Sequence, residues 1–467
     1  MHFTELVDLA SERLGGAVLF ANDEFFAPKE NLLKPSKPIF IEGKYTDLGK
    51  WMDGWETRRS RTPTYDWCIL RLGLPGVPRG VVVNTAHFKG NYPESCSLEA
   101  CAADGAADLE LLAAAAWTEI LPRSALKGDC ENLFAVAATA RATHLRFKIY
   151  PDGGVARLRV HGEVKAALPY LGEIDLAAVE NGGLAVESSD MFFGSRQNLI
   201  MPGRGLNMSD GWETRRRRGP GHDWVIIELG ARGAIHRVEV DTAHFKGNYP
   251  DSCSLEACDG EGVQLGMILP QTKLQPHTRH VFREEIRGAG PTDYVRFNIF
   301  PDGGVSRLRL YGRRAAPSVT EAELLACCGS REWVRRMEER QPYSSAEEML
   351  ESAARTWWEL GPKDWLQAFA AHPRIGESSA DVHAIREQSG VDGAEAEILA
   401  RLAAGNRAYE QRFGYIYIVR AAGKTAAEML AMLESRLGND PDTELRVAAE
   451  QQRQITRLRL ERWMKDR

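Results

Sequence analysis

One phrase occurs twice in this chain. "NTAHFKGNYPESCSLEAC" runs from Asn84 to Cys101, and "DTAHFKGNYPDSCSLEAC" runs from Asp241 to Cys258, with 16 of 18 positions identical. The match extends outward. "DGWETRR" at Asp53–Arg59 returns at Asp210–Arg216 with the same offset of 157, and "FKIYPDGGVARLRVHG" (Phe147–Gly162) returns as "FNIFPDGGVSRLRLYG" (Phe297–Gly312) at offset 150. The entries match too, Gly15-Gly16 to Gly182-Gly183 at offset 167, and extra residues around "SKPIFIEGKY" in the first copy account for the change from 167 to 157. A period of this length is too long for a solenoid repeat and matches a whole domain. The constraint is therefore strong: residues of about 15–165 and 172–315 must adopt one fold twice.

Each copy reads mainly as strands. "VIIELG", "HRVEVDTAHF", "SCSLEAC", "YVRFNIF" and "VSRLRLYG" are short β-branched runs separated by Gly, Pro and Asp turn signals. In "SRLRLYG", Leu308 and Leu310 share one face and Arg307 and Arg309 the other. Many short strands and few helices predict a β-sandwich or jelly roll. Cys253 and Cys258, like Cys96 and Cys101, are five apart, which puts their side chains on opposite faces of a strand. Buried apolar cysteine is expected, not a zinc knuckle.

The rest of the composition excludes several classes. With 59 basic and 65 acidic side chains in 467 residues, the net charge of -6 gives no reason to expect a nucleic-acid partner. No apolar run reaches the ~20 residues that span a bilayer. "MHFTELVDLASERLGG" lacks the apolar core of a secretory signal, so a cytoplasmic location without membrane attachment is expected.

The repeated polar residues carry the chemical information. They are Asp53, Glu56, Arg58, Arg59, His87, Lys89, Asn91 and Tyr92, then Asp210, Glu213, Arg215, Arg216, His244, Lys246, Asn248 and Tyr249. Several fall at predicted turns, where sites on a β-scaffold are built. Paired arginines suit bidentate capture of a carboxylate. A His titrates near neutral pH, and a neighbouring carboxylate can orient it. The bland readings are core for Trp55 and Trp212, a turn whose Asp caps its own backbone for "PDGG", and solvated strand positions for Glu99 and Glu256. The linker "ADGAADLELLAAAAWTEILPRSALKGDC" barely resembles its partner, so the retention of the polar phrase is local.

"SDGWETRRRR", "HDWVIIELG", "DTAHFKGNYPDSCSLEAC" and "FNIFPDGGVSRLRLYG" resemble allantoicase in both copies. The resemblance implies two jelly-roll-like sandwiches that hydrolyse allantoate to ureidoglycolate and urea. Allantoate carries one carboxylate and two ureido arms. The Arg and Lys residues suit the carboxylate; Asn, Asp and Glu suit the ureido groups; His87, His244, Glu56 or Glu213 suits protonation of departing urea. A divalent metal is compatible with the His, Glu and Asp present, but no HExxH-type spacing assigns its ligands. Two alternatives stand beside this reading. The pair is a non-catalytic ligand-binding module tethered to an active decarboxylase, or only the second copy reacts, Tyr65 against His222 being the clearest asymmetry.

From about Ser318 the texture turns helical. "PSVTEAELLACCGSREWVRRMEER", capped at Thr320 or Ser318, "SSAEEMLESAARTWWEL", "EAEILARLAAGNRAYEQRF", "TAAEMLAMLESRL" and "PDTELRVAAEQQRQITRLRLERW" predict an all-α bundle after a linker at 312–319. "GYIYIVR" is strand-like or an extended buried segment. "AFAAHPRIGE" puts His372 before a proline at a helix end. With "GNRAYEQRFGYIYIV" and "RLGNDPDTELRVAAEQQRQITRLRL", this part resembles 2-oxo-4-hydroxy-4-carboxy-5-ureidoimidazoline (OHCU) decarboxylase. Gln341-Pro342-Tyr343 stands where that family often has Arg-Pro-Phe, in an expected loop. The resemblance implies His372 as acid/base, Glu387 as its partner, Gln388 on the ureido or ring groups, and Arg459, ahead of Arg457, on a carboxylate. The imine of the substrate can accept the electrons, so no cofactor is required. The expected whole is a bifunctional purine-catabolic enzyme with domains at 1–168, 169–315 and 316–467, acting on small ureides as a homo-oligomer.

Overall fold

The computed structural model describes residues 2–61, 64–372 and 396–466. They form two compact units, one of residues 1–168 with 173–312, the other of 169–172 with 313–467.

In the first unit each copy is an eight-stranded antiparallel assembly with identical strand order. The organising element is a 19-residue strand, Asp66–Asn84 in the first copy and Asp223–Asp241 in the second. Its first half, Asp66–Arg71, pairs with Ala142–Tyr150 and Ala17–Ala21. Its second half, Gly76–Asn84, pairs with Arg157–Val164 and Glu131–Ala135. One strand therefore serves both layers of the sandwich, and its register breaks between the halves. The second copy breaks likewise, between Glu228 and Gly233. The strand expected over "HRVEVDTAHF" stops at Asp241, because His244 has φ +72°, a left-handed conformation that leaves the ladder.

The alternating positions meet in the core. Leu308 and Leu310 are fully buried, as are Trp55 and Trp212. The arginine face is also covered. Arg307 donates to the Asp210 carboxylate, and Arg309 donates to the carbonyls of Met201 and Gly203. The eight cysteines are free. Burial pushes the thiols of Cys96 and Cys253 up to about 12, and those of Cys101 and Cys258 up to about 11. Glu99 is no solvated strand residue: Arg146 and Lys148 both donate to its carboxylate and hold it below its usual range, against the opposing effect of its burial.

The second unit is helical. The run expected as one helix from Ser318 is two, Glu321–Cys328 and Arg331–Glu339, because Gly329 takes φ +84° and ends the first. Thr320 and Glu323 form a capping box at its start. The linker is shorter than expected, since the last strand runs to Arg314. Helices Ala346–Trp358, Pro362–Ala370, Ala396–Phe413, Ala426–Arg436 and Pro441–Lys465 follow. "GYIYIVR" forms no strand; Tyr417, Ile418 and Val419 are buried in chain without regular secondary structure. A buried polar knot ties this segment to three helices. Arg436 donates to Glu444 (2.8 Å) and to the carbonyl of Ile418 (2.8 Å), Asn439 donates to Glu444 (2.6 Å), and the Tyr409 hydroxyl also donates to Glu444. Gln341 bonds the backbone of Val319 from the loop between the second and third helices.

Candidate active sites

Three motifs far apart in sequence meet at one place in each sandwich. Trp55–Glu56 pairs with Gly154–Val155, and Trp212–Glu213 pairs with Gly304–Val305. The buried indoles of Trp55 and Trp212 donate to the carbonyls of Asp23 and Asp190 at 2.8 Å, which fixes the depth of the "DGWETRR" segment. The third motif docks through Asn91 and Asn248. Their carbonyls accept the amides of Gly154 and Gly304 at 2.8 Å. Their side chains donate to Glu56 and Glu213. The glycine in "PDGGV" is dictated by packing: a Cβ on Gly154 or Gly304 would lie 1.9 Å from the ring of Phe88 or Phe245. The Asp of that motif does not cap its own turn. Asp152 accepts the amide of Ser60, and Asp302 that of Arg217, both at 2.8 Å, so each carboxylate anchors the arginine segment instead.

The sequence-predicted residues divide into a held set and a displayed set. Asp53 and Asp210 are buried and paired with Arg157 and Arg307 at 2.7 and 3.1 Å. His87 and His244 have left-handed backbones, at φ +71° and +72°, a conformation that costs a non-glycine residue about 1–3 kcal/mol. Their rings donate from Nε2 to backbone carbonyls, Pro38 at 3.3 Å and Gly205 at 2.8 Å. Neither ring has a carboxylate partner among these contacts. Tyr92 and Tyr249 pack against the core as half-buried side chains. Arg58, Arg59, Lys89, Arg215, Arg216 and Lys246 are exposed. Arg58 and Arg215 are steered by Asp23 and Asp190 and lie over the rings of Phe25 and Phe192. Lys89 stands 3.9 Å from Asp129. Burial raises the Glu56 carboxyl above its usual range, opposed by the bond from Asn91, so this group holds a proton more readily than a surface glutamate.

Two residues that sequence reasoning passed over complete the geometry. Asp129 accepts the backbone amide of His87, and Nδ1 of His277 accepts that of His244, both at 2.8 Å. They occupy equivalent places but differ in type, within a segment whose divergence hid the correspondence. Tyr65 and His222 also differ in setting. The Tyr65 ring lies 5.5 Å from that of Tyr150, whereas His222 lies 4.5 Å from Phe300 and bonds Asn298 at 3.1 Å. Among the described residues, no group of three or more His, Cys, Asp or Glu side chains is placed to hold a metal ion.

In the helical unit, His372 follows the helix Pro362–Ala370, its amide bonded to the carbonyl of Phe369. Arg459, buried on the helix Pro441–Lys465, approaches His372 Nδ1 to 3.5 Å and donates to the carbonyl of Ala326 at 3.3 Å. Arg457 points elsewhere, to Glu461 at 2.8 Å. Glu387 and Gln388 lie outside the described residues.

Comparison with known proteins matches two parts of the chain to two families. The model of the allantoicase repeat matches residues 7–165 and again 174–315. The chain belongs to the allantoicase family. A probable allantoicase of Burkholderia mallei is 49% identical over 319 residues, which cover 66% of this chain and 94% of that protein. The allantoicase of Dictyostelium discoideum is 47% identical over 323 residues, 66% and 87% of the respective chains. The crystal structure of the Saccharomyces cerevisiae allantoicase is 39% identical and superposes with a TM-score of 0.56, covering 66% of this chain and 93% of that one. Behind its allantoicase repeats, this chain carries a segment, residues 314–461, that matches the OHCU decarboxylase family model. Among the described residues no helix is long and apolar enough to cross a membrane.

Proposed function

We propose that the chain is a bifunctional enzyme of purine catabolism with domains at 1–168, 169–315 and 316–467. The paired sandwiches hydrolyse allantoate to ureidoglycolate and urea, and the helical domain decarboxylates 2-oxo-4-hydroxy-4-carboxy-5-ureidoimidazoline to (S)-allantoin. One observation carries the first activity: a partly buried glutamate bonded to an asparagine, beside a displayed arginine pair, built twice. In this reading Arg58, Arg59 and Lys89, with Arg215, Arg216 and Lys246 in the second copy, capture the carboxylate of allantoate. Asn91, Tyr92, Asn248 and Tyr249 take the ureido arms. Glu56 and Glu213, with His87 and His244, exchange the proton that departing urea needs. In the helical domain, Arg459 holds the substrate carboxylate and His372 handles the proton as the C–C bond breaks and its electrons pass into the imine of the substrate. The OHCU decarboxylase family needs no cofactor for this. The substrates are small ureides, and we place the enzyme in the cytoplasm as a homo-oligomer.

The test is urea release from allantoate by the purified chain, with and without a chelator, beside His87→Ala and His244→Ala. Release by the wild type, lowered in each variant and lost when the two are combined, supports the reading. Loss on chelation assigns a divalent ion to the site. A well-folded wild type that releases no urea defeats the hydrolase half and leaves the decarboxylase half standing.

A further inference from the structure

We infer that Arg13, a residue of the first copy, is a positioning residue for the candidate site of the second. The argument starts from a difference between the copies. In the first, the buried carboxylate of Asp53 accepts the amide of Ile39 at 3.0 Å and is paired with Arg157 at 2.7 Å. Lys34 of the same copy lies 3.7 Å from it. The residue before Ile39, Pro38, presents the carbonyl that takes His87 Nε2. Asp53 thus fixes the loop that fixes the histidine ring.

The second copy repeats the loop. Asp210 accepts the amide of Leu206 at 3.0 Å and a bond from Arg307 at 3.1 Å, and Gly205 presents its carbonyl to His244 Nε2. The nearby cation is missing. Gly15-Gly16 aligns with Gly182-Gly183 at offset 167, and the same offset puts Met201 at the place of Lys34. A thioether cannot pair with a carboxylate. Arg13 fills the role from outside, donating from Nη1 and Nη2 to the two oxygens of Asp210, each at 2.7 Å. The arrangement runs one way, because the counterpart of Arg13 in the second copy is Glu180, which cannot serve Asp53. A second cross-copy link lies nearby: Arg196 donates to Glu5 at 2.6 Å, whereas Lys29, its counterpart in the first copy, pairs within that copy with Glu24 and Glu30. Burial pushes the Asp210 carboxyl up, yet the bonds from Arg13 and Leu206 outweigh it and keep the group ionised below the usual range.

A two-pronged guanidinium holds a carboxylate in orientation as well as in charge. Without Arg13, Asp210 loses both bonds, the Leu206 amide loses a fixed acceptor, and the Gly205 carbonyl no longer aims the His244 ring. On this account the second site is complete only when the first copy is docked on it.

The inference rests on His244 belonging to the allantoate site, and the experiment separates the two claims. Urea release is measured in a His87→Ala background, so that only the second site reports. Arg13→Met is expected to lower kcat by about 100-fold, as a misplacement of about 1 Å can, with KM for allantoate little changed because Arg215 and Arg216 are untouched. Adding Met201→Lys, which rebuilds the arrangement of the first copy, is expected to restore most of kcat. If Arg13→Met does not fold, Arg13→Lys keeps the charge and loses the fork, and an intermediate kcat is expected. An unchanged kcat in folded Arg13→Met, with His244→Ala inactive, overturns the inference and spares the site. Failure of Met201→Lys to rescue overturns it too. Activity retained when His244→Ala is added to the His87→Ala background, or none in that background alone, overturns the site assignment for the second copy and the inference with it.

Discussion

The polar knot of the helical unit gives the sharpest quantitative test. Glu444 has no exposed surface, and its carboxylate is met by Arg436, Asn439 and Tyr409. The perturbation is Arg436→Met. It removes the only cation in that set and the bond to the Ile418 carbonyl, and leaves a buried carboxylate served by neutral donors alone. Breaking a buried pair from one side costs about 3–5 kcal/mol, because the surviving charge has lost its solvent and its partner. For a domain of this size each kcal/mol moves the midpoint by about 2–4 °C, so a fall of about 6–20 °C is expected. The assay is thermal unfolding followed by circular dichroism at a helix-sensitive wavelength, where this unit dominates the signal. The double variant Arg436→Met with Glu444→Leu removes both charges and should recover much of the loss. A midpoint within about 2 °C of wild type for the single variant, or a double variant as unstable as the single, would refute the reasoning.

Three further outcomes are expected. Arg459→Met should lower kcat/KM for decarboxylation by about 10–150-fold, the worth of about 1.5–3 kcal/mol for a hydrogen bond to a charged group, while urea release is unchanged; steady-state kinetics on both substrates checks this. Glu56→Gln should remove the fall in urea release that the first copy shows as pH rises through the raised titration of Glu56, since the amide cannot carry the proton that this carboxyl holds; a His244→Ala background isolates that copy. Burial raises the Asp175 carboxyl to about 6 and raises Asp8 at the equivalent place in the first copy. A carboxyl raised on folding is protonated in the folded chain while ionised in the unfolded one, so its contribution falls as pH rises from about 4 to about 6 and is flat above. Denaturant midpoints of Asp175→Asn should therefore gain on wild type through that window, and a pH-independent difference would count against the assignment.

How much of this was legible in the sequence depended on whether the cause was local. The duplication, the sandwich and the helical tail are written in periodicity and turn residues, which act over a few positions. Thr320 reads as a cap for the same reason, and Trp55 and Trp212 read as core. What escaped were interactions between distant segments. Asp152 looked like a turn residue because nothing near it signals that Ser60, 92 positions away, needs an acceptor. The left-handed backbone of His87 and His244 gives no sequence signal, because positive φ is legible mainly where glycine marks it. Glu99 looked solvated because the strand that delivers Arg146 and Lys148 is remote in sequence.

The bond from Arg13 to Asp210 bears on why the copies stay together. A duplicated domain is free to shed one of two redundant contacts once its neighbour can supply the lost group. Met201 and Arg13 read as that event: the second copy lacks the lysine, and the first reaches over with a guanidinium. From then on Arg13 cannot be lost without leaving Asp210 buried with one cation fewer, unless Met201 reverts to lysine. Two once-equivalent domains thereby become one cooperative unit. The fused decarboxylase needs no such bond to explain its presence. In the proposed scheme its product is allantoin while the sandwiches consume allantoate, so a ring-opening step must intervene. The fusion therefore argues for joint supply of two activities and gives no ground for passing an intermediate directly between them.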